Sequence, residues 1–300
     1  MAGELAGWTV AVVGGDRRML EHMRQARFAG ATVRHFGCAP GAAEAAGAPE
    51  SSSLAEAIKG ARLISAPIPG LGNDNSLYAP SAKVKLFTTS EVLRGAAPAA
   101  MMFMGRANAQ IQEWARGTNV TPIGYGDDDP LAVMHAVPTA EGAIKVAIEN
   151  TEETLLGLPT LCIGLGRVGM SVAQAFVAMQ AAVTLAARHP SQLARAWAMG
   201  TTAMHLRELP GGIGRFPLIV SSASGMVLTR DLLERTRTDV LIIDLCSPPG
   251  SVDFPAAEQL GRKVIWARGQ AGTAPKTSGY NEWQVIMRMV RERVPELAKA

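Results

Sequence analysis

The run TLCIGLGRVGMSVAQAF, Thr160 to Phe176, limits the fold of this chain more than any other stretch. A short apolar segment ends in Gly164, and Gly166 and Gly169 follow in the frame G-x-G-x-x-G. Beyond them Val168, Val172, Ala175, Phe176 and Met179 recur at the spacing of one helix face. Strand, glycine turn and helix in that order open a dinucleotide-binding βαβ unit. Gly164 turns the chain out of the strand, Gly166 lets pyrophosphate approach the backbone, and Gly169 lets the helix pack close to the strand. Gly164, Leu165, Gly166, Arg167, Val168 and Gly169 are therefore expected to cradle phosphate at the positive end of the helix. Ser222, just past a later apolar strand, is expected to join them.

The next apolar run, AAVTLAAR, selects the cofactor. NAD sites place Asp or Glu at the end of this second strand, about 20 residues beyond the first glycine, to bind the ribose 2′-hydroxyl. This chain has Arg188 there, followed by His189, and carries no Asp or Glu between Glu153 and Glu208. A carboxylate repels a 2′-phosphate, whereas a guanidinium binds it through a fork of donors. Ser191 and Arg195 stand close enough to assist. The expectation is NADP.

A turn of this kind usually opens a domain, yet here it lies past the middle of 300 residues. The chain is long enough for two domains, because single cores stop growing at about 250 to 300 residues. Strand-like and helix-like segments alternate from the start: WTVAVVGG, RRMLEHMRQARFAG, ATVRHFG, ARLISAPIPG, AAMMFMG, QIQEWARG and NVTPIGY. In VVGGDRRM, Asp16 stands where phosphate would approach and Met19 where the close-packing glycine belongs, so this first half is expected to be Rossmann-like without holding a dinucleotide. The Ala/Gly-rich APGAAEAAGAPESSS reads as a flexible surface connection. In DDDPLAVMHAVPTAEG, Asp129 is the expected N-cap of one helix, Pro138 its end and Thr139 the cap of the next, with Ala140, Ala143, Ile144, Ala147, Ile148 and Leu155 on one face. The expectation is two doubly wound α/β domains, residues 1–138 and 139–280. A final helix in 281–300 returns towards the first domain. That is the layout of D-2-hydroxyacid dehydrogenases and adenosylhomocysteinases, with the first half forming the other wall of a cleft that closes about Thr139.

Composition removes several function classes. A net charge of +3 without a dense Lys/Arg stripe argues against nucleic acid. Cys38, Cys162 and Cys246 lie far apart without CxxC spacing, so neither a disulfide framework nor a metal site is expected. The start MAGELAGWTV does not resemble a signal peptide, and no apolar run reaches about 18 residues, so a cytoplasmic protein without a membrane span is expected.

Three loops bear chemistry: FMGRANAQ with Arg106 and Asn108, VPTAEG with Thr139 and Glu141, and AGTAPKTSGYNEW with Lys276 before the last helix. With VAVVGGDRR, GLGRVGMSVAQAF and IDLCSPPGSVDF, the pair VPTAEG and APKTSG makes nearly the whole chain resemble the A subunit of dipicolinate synthase. The resemblance implies pyridine-nucleotide-dependent oxidation of a dihydro- or hydroxytetrahydrodipicolinate during sporulation, on a branch of lysine biosynthesis. It also implies a separate flavoprotein-like B subunit as partner; a homo-oligomer is expected. Where the family carries an arginine before Pro-Gly, this chain has Pro248, and the loop SSASGM lacks the family-like NT-x-P. Such precursors are dianions, so cations and amide donors are needed, and a base must take a proton as the ring aromatises. Arg106, Asn108 and Lys276 are candidates for the first task. Glu141 and His135 are candidates for the second, with Lys276 an alternative proton carrier, and Thr139 is expected in the site beside them. Two rival readings stand beside this one: a D-2-hydroxyacid dehydrogenase for another substrate, and a non-catalytic NADP-binding regulatory subunit. The hydroxyacid dehydrogenases keep a Pro-His pair where this chain has Pro275-Lys276.

Overall fold

The computed structural model describes residues 3–297. Met1 and Ala2 of the expected amino-terminal stretch, and residues 298–300 of the expected 281–300 segment, lie outside them. The chain divides into two compact units, one taking the chain up to Ala132 and again from Ala274 onward, the other Val133–Thr273.

The first unit contains β1 (Thr9–Val13), α1 (Arg18–Phe28), β2 (Thr32–Phe36), α2 (Ala42–Ala46), α3 (Leu54–Ile58), β3 (Leu63–Ser65), α4 (Ser90–Leu93), β4 (Ala100–Met104), α5 (Ala109–Ala115) and β5 (Val120–Gly124). The strands form one parallel sheet in the order β2-β1-β3-β4-β5. The central strands β1, β3 and β4 are the most apolar, as expected for buried parallel strands: all five residues of β4 are buried. The segment expected to be a flexible connection is partly helical. Ala42, Ala45 and Ala46 are buried in α2, and Ser53 caps α3 by accepting from the Glu56 amide at 3.1 Å. Small side chains let a short helix lie close to the sheet, which composition alone disguised as a linker.

The helix α6 (Asp129–Asn150) is continuous. Asp128, not Asp129, caps it, accepting from the Leu131 amide at 3.0 Å. Pro138 lies inside it, and Thr139 caps nothing: its hydroxyl donates to the His135 carbonyl at 2.7 Å. The expected break was therefore wrong. Proline removes one i→i−4 bond, but the buried alanines Ala140, Ala143 and Ala147 pack tightly into the second core and hold the helix together. Ile148, assigned to that face, is exposed. By length and composition α6 is apolar enough to cross a membrane, a character that uninterrupted apolar runs in the sequence do not reveal. Its alanine face accounts for that character as part of a core.

The second unit continues with β6 (Pro159–Ile163), α7 (Arg167–Ala178), β7 (Ala182–Ala187), α8 (Pro190–Ala198), β8 (Thr202–His205), α9 (Leu209–Gly212), β9 (Leu218–Ser221), α10 (Arg230–Leu233), β10 (Leu241–Asp244), α11 (Phe254–Gln259) and β11 (Lys263–Trp266). Its six strands are parallel in the order β11-β10-β9-β6-β7-β8. Renumbered within the unit this is 6-5-4-1-2-3, the dinucleotide-fold order, with its switch point between β6 and β9.

The last helix, α12 (Pro275–Arg293), belongs to the first unit and lies against α1. The approach is tight at Gly279, where a Cβ would come within 2.4 Å of the Arg18 carbonyl oxygen. Beside it Glu282 is fully buried. Arg18 Nη1 donates to Glu282 Oε1 at 2.9 Å, and Tyr125 Oη donates to Glu282 Oε2 at 3.2 Å. The imidazole of His22 bonds Ser65 through Nδ1 at 2.8 Å and brings Nε2 within 3.3 Å of Glu282 Oε2, in contact but outside hydrogen-bond geometry. Arg18 also grips Asp16 with Nε and Nη2, at 2.9 and 2.8 Å. Burial opposes the Arg18 charge, but its bonds to Asp16 and the Glu282 charge outweigh that and push its pKa up. Farther along, Arg291 holds Glu4 through two bonds at 2.6 and 2.8 Å.

Glu282→Ala leaves Arg18 as a buried cation short of a partner, so the expected loss is about 3–5 kcal/mol of unfolding free energy. Glu234→Ala, at an exposed pair with Arg230, should cost under about 1 kcal/mol. Urea unfolding of both variants checks the contrast; equal small losses would remove Glu282 as the anchor.

Candidate functional site

The glycine turn lies at the carboxyl end of β6, at the switch point. Gly164 has φ +92°, and a Cβ there would meet the Ala223 amide nitrogen at 3.0 Å. At Gly169 a Cβ would come within 2.2 Å of the Gly164 carbonyl oxygen, so only glycine lets α7 start this close to the strand. Gly166 differs: a Cβ there would meet nothing within 4 Å. Its missing side chain leaves open space over the first turn of α7, where no side-chain cap intervenes. A diphosphate fits such a cradle, with backbone amides and the helix dipole facing it. Ser222 supports the turn. Its amide and hydroxyl both reach the Ile163 carbonyl, at 2.9 and 3.3 Å, and its Oγ lies against the Gly164 and Gly169 positions. Gln192 of α8 ties the turn from the other side, donating to the Leu165 carbonyl at 3.2 Å. This strut is invisible in the sequence, because nothing in local spacing links Gln192 to Leu165. Of the helix-face residues, Val172 and Phe176 are buried, while Met179 follows the helix and is exposed.

Arg188 follows the last residue of β7 and is exposed. Among the described residues it makes no ion pair. With His189, Ser191, Gln192 and Arg195 it lines a shallow pocket beside the turn. The strand end thus brings two guanidinium groups and a hydroxyl to one place without a carboxylate.

The remaining candidates divide between the units. In the first, Arg106 follows β4, is exposed, and lies 3.5 Å from an Asp127 carboxylate oxygen. Asn108 caps α5, its Oδ1 accepting from the Ile111 amide at 3.1 Å, so that acceptor is already used. Lys276 is not in a loop: α12 starts at Pro275, which places the lysine in the first helical turn, exposed and without an ion pair among the described residues. A cation there adds to the positive end of the helix dipole instead of opposing it. In the second unit, Glu141 is exposed in the middle of the continuous α6, not just past the start of a separate helix capped by Thr139. Thr139 is half-buried and its hydroxyl is used within the helix. His135 is half-buried one turn before it.

In the amino-terminal unit the corresponding turn is closed. A Cβ at Gly15 would meet Met19 Cγ at 2.3 Å, and Asp16 is occupied by Arg18. Burial raises the Asp16 pKa, but the bonds and charge of Arg18 outweigh it and hold this carboxyl below its usual range.

Against known proteins, residues 9–125 match the family model described as the N-terminal domain of the dipicolinate synthase A subunit. Over 296 residues the chain is 28% identical to the dipicolinate synthase A subunit of Bacillus subtilis (strain 168), covering 98% of this chain and 100% of that one. The crystal structure of that synthase's A chain from Bacillus subtilis superposes with a TM-score of 0.83 at 28% identity, covering 99% of both chains. The structure of the Bacillus halodurans A subunit gives 0.82 at 27% identity, covering 95% of this chain and 98% of that one. By amino-terminal domain, by full-length similarity and by fold, this chain is similar to dipicolinate synthase A subunits.

Proposed function

We propose that this chain is an NADP-dependent oxidoreductase subunit that forms dipicolinate from a dihydro- or hydroxytetrahydrodipicolinate. The observation that carries the reading is the open cradle at Gly166 beside two arginines where a 2′-hydroxyl site would hold an acid. Relatives named as dipicolinate synthase point to the substrate class. When bound, the oxidised nicotinamide supplies a two-electron acceptor. Such an acceptor would take the hydride that a dihydrodipicolinate must lose on aromatising, leaving the chain's own residues to take up one proton. The chain's own part is to hold the diphosphate at the glycine turn, to hold the 2′-phosphate with Arg188 and Arg195, and to balance the substrate's two carboxylates. Lys276 is the better cation for that last task, because Arg106 already shares its charge with Asp127. Lys276 also stands at a helix start, where the dipole adds to its attraction for an anion. A lysine on an exposed helix start offers three donors on a flexible stem, a geometry suited to holding a carboxylate, so anchoring is favoured over proton transfer. In this reading the chain works in the mother-cell cytoplasm with a separate flavoprotein-like B subunit, itself as a homo-oligomer.

Three outcomes check the proposal. Gly166→Ala should melt like wild type yet lose dinucleotide binding, whereas Gly169→Ala should lower the melting temperature as well, because its Cβ strikes backbone. Arg188→Ala should weaken NADPH by about 1–2 kcal/mol and leave NADH unchanged in calorimetry; equal NADPH affinity in both proteins would sink the NADP assignment. In turnover of a dihydrodipicolinate, Lys276→Arg should keep much of kcat while Lys276→Met mainly raises KM. Loss of kcat by roughly 10²-fold or more in both would instead make the lysine a proton carrier.

A further inference from the structure

A fully buried carboxylate ties together the two loops that follow β9 and β10. Asp244 ends β10 without solvent exposure. Its Oδ1 accepts from the Cys246 amide at 3.0 Å and from Ser251 Oγ at 3.1 Å, and its Oδ2 accepts from the Ser251 amide at 2.7 Å. Ser251 Oγ also shares a 2.7 Å hydrogen bond with Ser221 Oγ, at the end of β9. The Ser251 carbonyl accepts from the Val227 and Leu228 amides, both at 2.9 Å, which closes the far end of the β9 loop. Across the gap Cys246 Sγ contacts the Ala223 carbonyl at 3.0 Å, and Trp266 Nε1 donates to the Cys246 carbonyl at 2.9 Å. Gly250, at φ +93°, passes so close that a Cβ would lie 2.8 Å from Asp244 Oδ2. Residues 222–226 and 246–250 are thereby fixed to one another through Asp244, Ser251 and Ser221.

Asp244 itself faces three protein donors and no solvent, so it has no free oxygen for a ligand. Its place in the fold gives the rigidity a use. In this strand order a dinucleotide lies across the switch point between β6 and β9. The Arg188 pocket marks the β7 side for the adenylate half, which leaves the β9 and β10 loops for the other half. We propose that the Asp244–Ser251–Ser221 latch positions the nicotinamide half of the cofactor, acting through the two loops it joins. Asp244 is in this sense a positioning residue. The inference rests on the dinucleotide reading given above and extends it to residues outside the glycine turn. A latch that served stability alone would affect both halves of the cofactor alike, or neither.

The test compares a whole cofactor with its adenylate fragment. Calorimetric Kd values for NADPH and for 2′,5′-ADP are measured on wild type, Asp244→Asn, Ser251→Ala and Ser221→Ala, with NADH and ADP as the matched pair lacking the 2′-phosphate. Asp244→Asn and Ser251→Ala should weaken the whole cofactor roughly ten-fold or more, because the loops they release must be ordered again when it binds. The fragment should stay within about two-fold, since the adenylate side keeps its contacts. Anisotropy of the dihydronicotinamide fluorescence should fall in the same variants. If Asp244→Asn does not unfold cooperatively, the two serine variants carry the comparison. Whole cofactor and fragment weakened equally, or neither weakened, would overturn the proposal while leaving the dinucleotide reading intact. A wild-type protein that binds neither pair would overturn the reading and the proposal with it.

Discussion

Glu282 decides how the chain is arranged. A carboxylate on the last helix, buried and held by Arg18 of the first helix and by Tyr125 after β5, requires that the chain end where it began. Residues 133–273 are consequently an insertion in the first unit, not a domain appended to it. Stripping that core of one partner in the Arg18–Glu282 pair is more costly than losing an exposed pair, so the first and last helices are committed together. The bidentate Glu4–Arg291 pair and the Gly279 contact reinforce the same junction. The Arg18 that anchors Glu282 also occupies Asp16, so one side chain both closes the first unit and takes up the acid in the glycine turn after β1.

The second unit shows how a parallel sheet distributes its chemistry. Apolar strands make the body, and the work falls to the loops at their carboxyl ends, where backbone amides and strand-end polar groups emerge on one edge. Around the switch point those loops differ in kind. The β6 turn is shaped by what glycine leaves out, the β7 end by exposed guanidinium groups, and the β9 and β10 ends by a buried acid that accepts from amides and a serine. The chain's three cysteines are not poised as nucleophiles. Burial pushes the Cys38 and Cys162 thiols up to about 12, and burial together with Asp244 does the same for Cys246, so all three stay protonated at neutral pH.

What could be read without coordinates was governed by short-range rules. The glycine frame, the following helix and the absent acid at the β7 end all lie within about 25 residues, where strand, turn and helix leave a fixed spacing. The parallel strands were legible for the same reason, as brief apolar runs between turns. The errors arose where a local rule met tertiary packing. Pro138 reads as a helix end, but the alanine face of α6 is buried deeply enough to carry the helix through it. The Ala/Gly-rich segment after β2 reads as a linker, but its small residues are what let α2 settle against the unit's core. Lys276 and Glu141 were assigned sensible residue types in the wrong local setting, because a helix boundary displaced by a few residues changes whether a side chain feels a helix end.

By itself, then, the sequence determined two α/β halves, a glycine turn between strand and helix in the second, and the cation that stands at the end of the next strand where an NAD site keeps an acid. These follow from spacing along the chain and from residue chemistry, neither of which needs a partner from elsewhere. Only the tertiary structure decided which groups neutralise one another. Arg18 and Glu282 are 264 residues apart, and Asp244 reaches Ser251 and, through it, Ser221 on a neighbouring strand. A buried charge is tolerable only beside its counterpart, and which counterpart arrives is set by strand order and helix packing, which no local window of sequence contains.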